Sequence, residues 1–131
     1  MAISNKIHIV VIDDQPSTLQ SVKDILKDSG FKNVYPKENA KVALEFMSEH
    51  ISSGEKVDLI LSDYDMPNMD GTQLYTEMQN NEQLKGTPFI LMSGCADQTF
   101  IVTAVKLGIK SILLKPFSKQ DLINELAKIL S

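Results

Sequence analysis

The chain carries a single cysteine in 131 residues, so it cannot form an internal disulfide, which fits a reducing cytoplasm. No apolar run approaches the roughly 18 residues that a membrane-spanning helix needs. The opening Met1-Ala2-Ile3-Ser4-Asn5-Lys6 is too short and too polar for a secretory signal. Lysines are scattered, no basic run occurs, and the formal net charge is -4, which argues against nucleic acid as a direct partner because phosphate binding needs a basic surface. Repeats and low-complexity tracts are missing too. What remains is an ordinary globular composition, 43% hydrophobic and 23% charged, in a chain of single-domain length with enough residues to bury a real core.

Short β-branched runs alternate with longer amphipathic stretches. Residues 7–12 read as a buried strand, and residues 17–29 as a helix with Leu19, Val22, Ile25 and Leu26 on its apolar side and Gly30 as its stop. Residues 33–36 read as a short strand; Pro36 has no N–H to donate, which places that strand at a sheet edge. Residues 39–52 form a second helix, broken by Ser53-Gly54, and residues 57–62 a third strand. An acidic loop, 63–71, leads to a helix starting near Thr72. A strand at 89–92, a small-residue loop Ser93-Gly94-Cys95-Ala96, a helix over 97–107 closed by Gly108, and a strand at 111–114 follow. Ser118 is the N-cap of the last helix, whose core face is Leu122, Ile123, Leu126, Ile129 and Leu130. Five strands alternating with five helices predict an α/β fold with helices on both faces of a doubly wound parallel sheet. Ligands of such folds bind beyond the strand C-termini.

The residues placed there are distinctive. Asp13 and Asp14 close the run 7–12, Asp63 follows 57–62, and Lys115 follows 111–114 and precedes Pro116. In a parallel sheet these ends share one edge, so residues far apart in sequence converge. Three adjacent carboxylates repel one another unless a cation joins them, which implies a divalent metal. Magnesium suits the oxygen donors: Asp14 and Asp63 are candidate direct ligands, Asp13 a candidate through water, and the Asp65 backbone carbonyl a further oxygen. Asp63 then has an oxygen with which to attack phosphorus and form an aspartyl phosphate. The metal, the Lys115 ammonium and the Ser93 hydroxyl share the task of neutralising the phosphoryl oxygens. Each residue also has a plainer reading. Asp13-Asp14 can complement a helix dipole, Asp63 can be a turn residue, Lys115 a solvated loop residue, and Ser93 a loop hydrogen bonder. Their coincidence at strand ends favours the functional reading. Cys95 reads as an ordinary free thiol, and His8, inside an apolar strand, as a packed or partly exposed histidine rather than a ligand. Tyr35, Tyr64 and Tyr75 show no site pattern.

Four segments resemble response-regulator receiver domains of two-component signalling: Val11-Ile12-Asp13-Asp14, the run Leu61-Ser62-Asp63-Tyr64-Asp65-Met66-Pro67-Asn68-Met69-Asp70-Gly71, Leu91-Met92-Ser93-Gly94, and Leu114-Lys115-Pro116-Phe117. They occur in order at receiver-like distances and cover nearly the whole chain, so residues 1–131 are expected to be a single receiver domain. Gly30-Phe31-Lys32-Asn33-Val34 is similar to CheY-like members. The resemblance implies a flavodoxin-like, CheY-like (βα)5 sheet with strand order 2-1-3-4-5. It implies that Asp63 accepts a phosphoryl group from a histidine kinase or phosphotransfer protein. It further implies that Asp13, Asp14, Asp63 and the Asp65 carbonyl hold Mg2+, that Ser93 is the switch hydroxyl, and that Lys115, through a cis Lys115-Pro116 bond, pairs with the phosphoryl group. Such a domain catalyses only its own phosphorylation and dephosphorylation. It signals to a downstream protein or output domain through its fourth helix, fifth strand and fifth helix, and the fourth-helix face also offers a weak homodimer contact. The chain stops soon after its last helix, so it is expected to be either a stand-alone regulator or a receiver taken from a longer protein.

Two positions depart from the commonest receiver pattern. Ile112 stands where receivers often carry an aromatic switch residue, so rotation of a ring between buried and exposed states cannot operate. Asp65 is acidic where many relatives are neutral, and Asp65→Asn is expected to change the lifetime of the phosphoryl group; equal dephosphorylation rates for the two proteins would refute this. Three other readings compete. Asp63-Tyr64-Asp65 has the nucleophile-x-acid spacing of haloacid-dehalogenase-like phosphatases, but there the motif follows the first strand and a larger domain with a cap completes the site. A flavodoxin-like cofactor binder wants hydroxyls, glycines and backbone amides where this chain has Asp13-Asp14. A degenerate receiver that signals without phosphate would not need the full set of key residues present here.

Overall fold

Four consecutive aliphatic residues, Ile9 to Ile12, are fully buried in the strand His8–Ile12 (β1), which requires a sheet covered on both faces. The structure is a computed structural model, and it describes residues 3–94 and 97–130. Cys95 lies outside the described residues. After β1 come helix α1 (Pro16–Asp28), β2 (Asn33–Lys37), α2 (Ala40–Ser52), β3 (Leu59–Asp63), α3 (Gly71–Gln79), β4 (Phe89–Ser93), α4 (Gln98–Leu107), β5 (Ser111–Leu114) and α5 (Lys119–Leu130). Every neighbouring strand pair is parallel, in the order β2-β1-β3-β4-β5, as the sequence predicts.

Successive side chains of a strand point to opposite faces, and the two cores follow from that. Ile9 and Val11, with Leu59 and Leu61, pack under α1 and α5 against Val22, Leu26, Leu122 and Leu126. Val10, Ile12 and Ile60 face the other way, against Ala43 and Met47 of α2, Leu74 and Met78 of α3, and Ala104 of α4. β2 is an edge strand, with Pro36 opposite Val11, as the missing N–H requires.

The helix starts are encoded locally. Asn39 accepts the Val42 N–H ahead of α2, and Asp97 accepts the Phe100 N–H ahead of α4. Asp70 and Gln73 form a reciprocal capping box on α3. Ser118 and Asp121 exchange backbone-to-side-chain bonds of 3.0 Å at the head of α5, which confirms Ser118 as a cap. Pro16 opens α1 where its missing N–H has no partner to lose.

Several boundaries differ from the sequence reading. β1 begins at His8, where pairing with Asn33 starts, and β3 begins at Leu59, opposite Ile9. The differences at the far ends matter more: Asp63 and Ser93 are the last residues of their strands, paired with Met92 and Leu114, rather than the first residues of loops. α3 begins at Gly71, one residue before Thr72. No helix among the described residues is long and apolar enough to cross a membrane.

Candidate functional site

The parallel register builds the site. Ile12 pairs with Ser62, so the next residue on each strand, Asp13 and Asp63, emerge side by side. Asp63 pairs with Met92 and Ser93 with Leu114, which brings Lys115 to the same edge one strand further over. A lysine side chain is long enough to reach back across β4. Lys115 Nζ lies 2.9 Å from Asp63 Oδ1 and 3.2 Å from Asp13 Oδ2. Asp13 is wholly buried, and its Oδ1 accepts the Gln15 N–H at 2.9 Å. Asp14 is exposed, and each of Asp13, Asp14 and Asp63 offers a carboxylate oxygen within 4.8 Å of the others.

These contacts bear on the plainer readings of the individual residues. Lys115 is bonded to two carboxylates and is not a solvated loop residue. Asp13 and Asp14 stand just ahead of the α1 N-cap Gln15, where they can also complement the helix dipole, so the two readings of this pair coexist. The Lys115-Pro116 peptide is cis, as the resemblance implies. Ser93 is buried at the end of β4, where its carbonyl accepts the Lys115 N–H at 2.7 Å. A cavity of about 540 Å3 opens above these strand ends, lined by Asp14, Asp63, Asp65, Met66, Gly94 and Lys115, among others. Asp65 is exposed on its wall.

The electrostatics follow from burial and crowding. Burial pushes the Asp63 carboxyl above the ordinary aspartate value; the Lys115 hydrogen bond opposes the rise, and the charges of Asp13 and Asp14 add to it. For Lys115, burial works against the ammonium, but the hydrogen bond to Asp63 and the charges of Asp13 and Asp63 outweigh it and hold the pKa above the ordinary lysine value. Three carboxylates face one ammonium, an excess of negative charge that a divalent ion would balance. The donors are all oxygens, as a hard cation such as Mg2+ requires, so the residues present fit that ion.

Two contributors escaped the sequence reading. Gln15 holds Asp13 through its backbone N–H, a role any residue but proline can fill, so its side chain carries no signal. Gly71 packs so closely behind the site that a Cβ there would stand 2.6 Å from the Asp63 carbonyl oxygen and 2.5 Å from Leu91 Cδ1. The glycine was visible in the acidic loop, but its reason was not.

Known proteins share this fold and identify its family. A family model described as the response regulator receiver domain matches residues 9–127. Chemotaxis protein CheY of Bacillus subtilis is 31% identical over 124 residues, covering 94% of this chain and 97% of that protein. Chemotaxis protein CheY-3 of Vibrio cholerae is 30% identical over 129 residues, covering 98% and 95%. A crystal structure of a response regulator receiver domain protein from Clostridium thermocellum superposes with a TM-score of 0.82 at 26% identity, covering 95% of this chain and 94% of that one. Fold, strand-end acids and family match coincide over almost the full length: the chain belongs to the response-regulator receiver domains and is a CheY-like receiver of two-component signalling.

Proposed function

We propose that this receiver is a phosphoacceptor switch that takes a phosphoryl group from a histidine kinase or phosphotransfer protein onto Asp63, and that residues 1–131 act as one receiver domain. The observation that carries the reading is the buried Asp63 carboxylate, 2.9 Å from the Lys115 ammonium, on the wall of an open cavity edged with further carboxylates. In the transfer, an Asp63 oxygen bonds to phosphorus while the bond from phosphorus to the donor breaks, and the donor keeps the bonding pair. Asp13, Asp14, Asp63 and the Asp65 backbone carbonyl are the groups that would hold Mg2+. That ion, when bound, offsets the carboxylate charge and the charge on the phosphoryl oxygens. Lys115, held between Asp63 and Asp13, would pair with a phosphoryl oxygen. Ser93, at the end of the neighbouring strand, is the candidate switch hydroxyl. A cytoplasmic location goes with partners of this kind.

The output in this reading is the face formed by α4, β5 and α5. Ile101, Val102 and Val105 of α4 and Leu114 of β5 are exposed apolar side chains of these elements, a surface suited to a downstream protein, an output domain or a weak homodimer, while the exposed Leu107 lines a cavity shared with α3. Tyr64, the residue after Asp63, packs its ring 4.6 Å from that of Phe100 in α4 and so joins the acceptor's loop to that helix. The half-buried Ile112 packs at the edge of the same core and cannot supply the ring rotation. The test is intact-mass measurement after incubation with acetyl phosphate. Wild type with Mg2+ is expected to gain one phosphoryl group, whereas chelated wild type and Asp63→Asn gain none. Modification of Asp63→Asn to the wild-type extent would end the assignment, and turnover of a free phosphomonoester would favour the phosphatase reading instead.

A further inference from the structure

Both histidines of the chain meet at the end of the sheet opposite Asp63. His8 opens β1 and His50 lies in the last turn of α2, yet His8 Nδ1 and His50 Nε2 are 3.0 Å apart. The Tyr35 hydroxyl is also 3.0 Å from His8 Nδ1, and Glu55 Oε2 is 3.7 Å from His8 Nε2. His8, His50 and Glu55 each offer a ligand atom, all within 4.8 Å of one another.

An imidazole nitrogen has one in-plane lobe, which holds either a proton or a lone pair. His8 Nδ1 therefore has more polar partners at hydrogen-bond distance than that lobe serves well at once. An ion about 2.0–2.1 Å from two imidazole nitrogens sets them roughly 2.8–3.4 Å apart for ligand angles of about 90–109°. The observed separation of 3.0 Å falls within that span. The rings are already oriented: His50 stacks on Phe46 at 5.0 Å and meets the Tyr35 ring at 5.0 Å, and His8 stacks on Tyr35 at 5.7 Å, while the His8 backbone N–H donates to Asp58 Oδ2 at 2.7 Å. Glu55 is exposed and can turn toward the pair. A surface cavity of about 320 Å3, lined by His8, Glu55 and Asp58 but also by Lys6 and Lys56, reaches two of the three ligands, though not His50.

We propose that His8, His50 and Glu55 form a second metal site, for a borderline divalent ion such as Zn2+, with water completing its coordination. Imidazole donors separate it from the all-oxygen pocket at Asp63, which suits Mg2+. A bound ion ties β1, the end of α2 and the segment leading to β3 into one unit, and it raises stability because the unfolded chain does not hold the three ligands together. This departs from the reading of His8 as merely packed, which considered β1 without α2.

The test uses tag-free protein stripped with chelator and kept in saturating Mg2+, titrated with ZnCl2 against a chromophoric chelator. Wild type is expected to bind one Zn2+ with a rise in thermal midpoint. His50→Gln is expected to bind at least about tenfold more weakly and to lose the rise, while still accepting phosphate from acetyl phosphate. Equal Zn2+ affinity in wild type and His50→Gln overturns the proposal, as does displacement of the bound Zn2+ by raising Mg2+. The two imidazole signals in the wild-type proton NMR spectrum give a readout independent of any variant. Both should shift or broaden up to one equivalent of Zn2+, and unmoved signals overturn the site.

Discussion

Lys115→Ala is expected to cost about 3–5 kcal/mol of stability near pH 7 without divalent ion, because it leaves buried carboxylates without their cation. Asp13 is fully buried and Asp63 nearly so, and Lys115 is bonded to both. The loss should depend on pH with a definite sign. Burial already holds the Asp63 carboxyl above its ordinary 3.8, against the opposing Lys115 hydrogen bond and charge. Removing the ammonium deletes both opposing influences and raises the folded-state pKa further. In the window between 3.8 and that raised value, the folded chain binds a proton that the unfolded chain does not. Stability of the variant therefore climbs as pH falls through the folded pKa, and the climb ends where the unfolded carboxyl also protonates. Urea unfolding of wild type and variant across this range measures the gap. A gap that fails to narrow as pH drops toward 3.8 contradicts the account. Mg2+ should narrow it at neutral pH, since the cation it supplies replaces the missing ammonium.

Gly71→Ala is expected to destabilise the fold by roughly 1–3 kcal/mol through overpacking, with a loss of phosphoryl uptake beyond what stability alone explains. The added Cβ would meet Leu91 Cδ1 at 2.5 Å, the Asp63 carbonyl oxygen at 2.6 Å and Tyr64 Cα at 3.1 Å. Leu91 is wholly buried and has little room to yield. The other two atoms belong to the backbone that aims the acceptor, and the Gly71 N–H is itself bonded to the Tyr64 carbonyl at 2.9 Å. Relief must therefore come by moving the Asp63 segment. Gly94→Ala is the comparison, since a Cβ there meets nothing within 4 Å among the described residues, and its denaturation midpoint should stay near that of wild type. A wild-type midpoint for Gly71→Ala would show that the segment gives way freely.

The legible part of this protein is the part written in local pattern. Apolar runs of strand length, amphipathic stretches, the stops Gly30 and Gly108 and the cap Ser118 are properties of neighbours in sequence, and they yielded five strands and five helices in order, whereas the caps Asn39, Asp70 and Asp97 emerged with the structure. The acids and the lysine were legible because each lies within two residues of a strand end, whichever strand is its neighbour. The ends themselves were less so: Asp63 and Ser93 join the ladder because Met92 and Leu114 on adjacent strands extend it.

Charge, period and turn chemistry along the chain were enough to specify a parallel α/β sheet with an acidic, lysine-bearing edge. Only packing in three dimensions decided that Lys115 crosses a strand to bridge Asp63 and Asp13, that Gly71 admits no side chain, and that His8 finds His50. The lysine and histidine contacts join residues 102, 52 and 42 positions apart, and such distances close only after sheet register and helix placement have been settled by burial of the two cores.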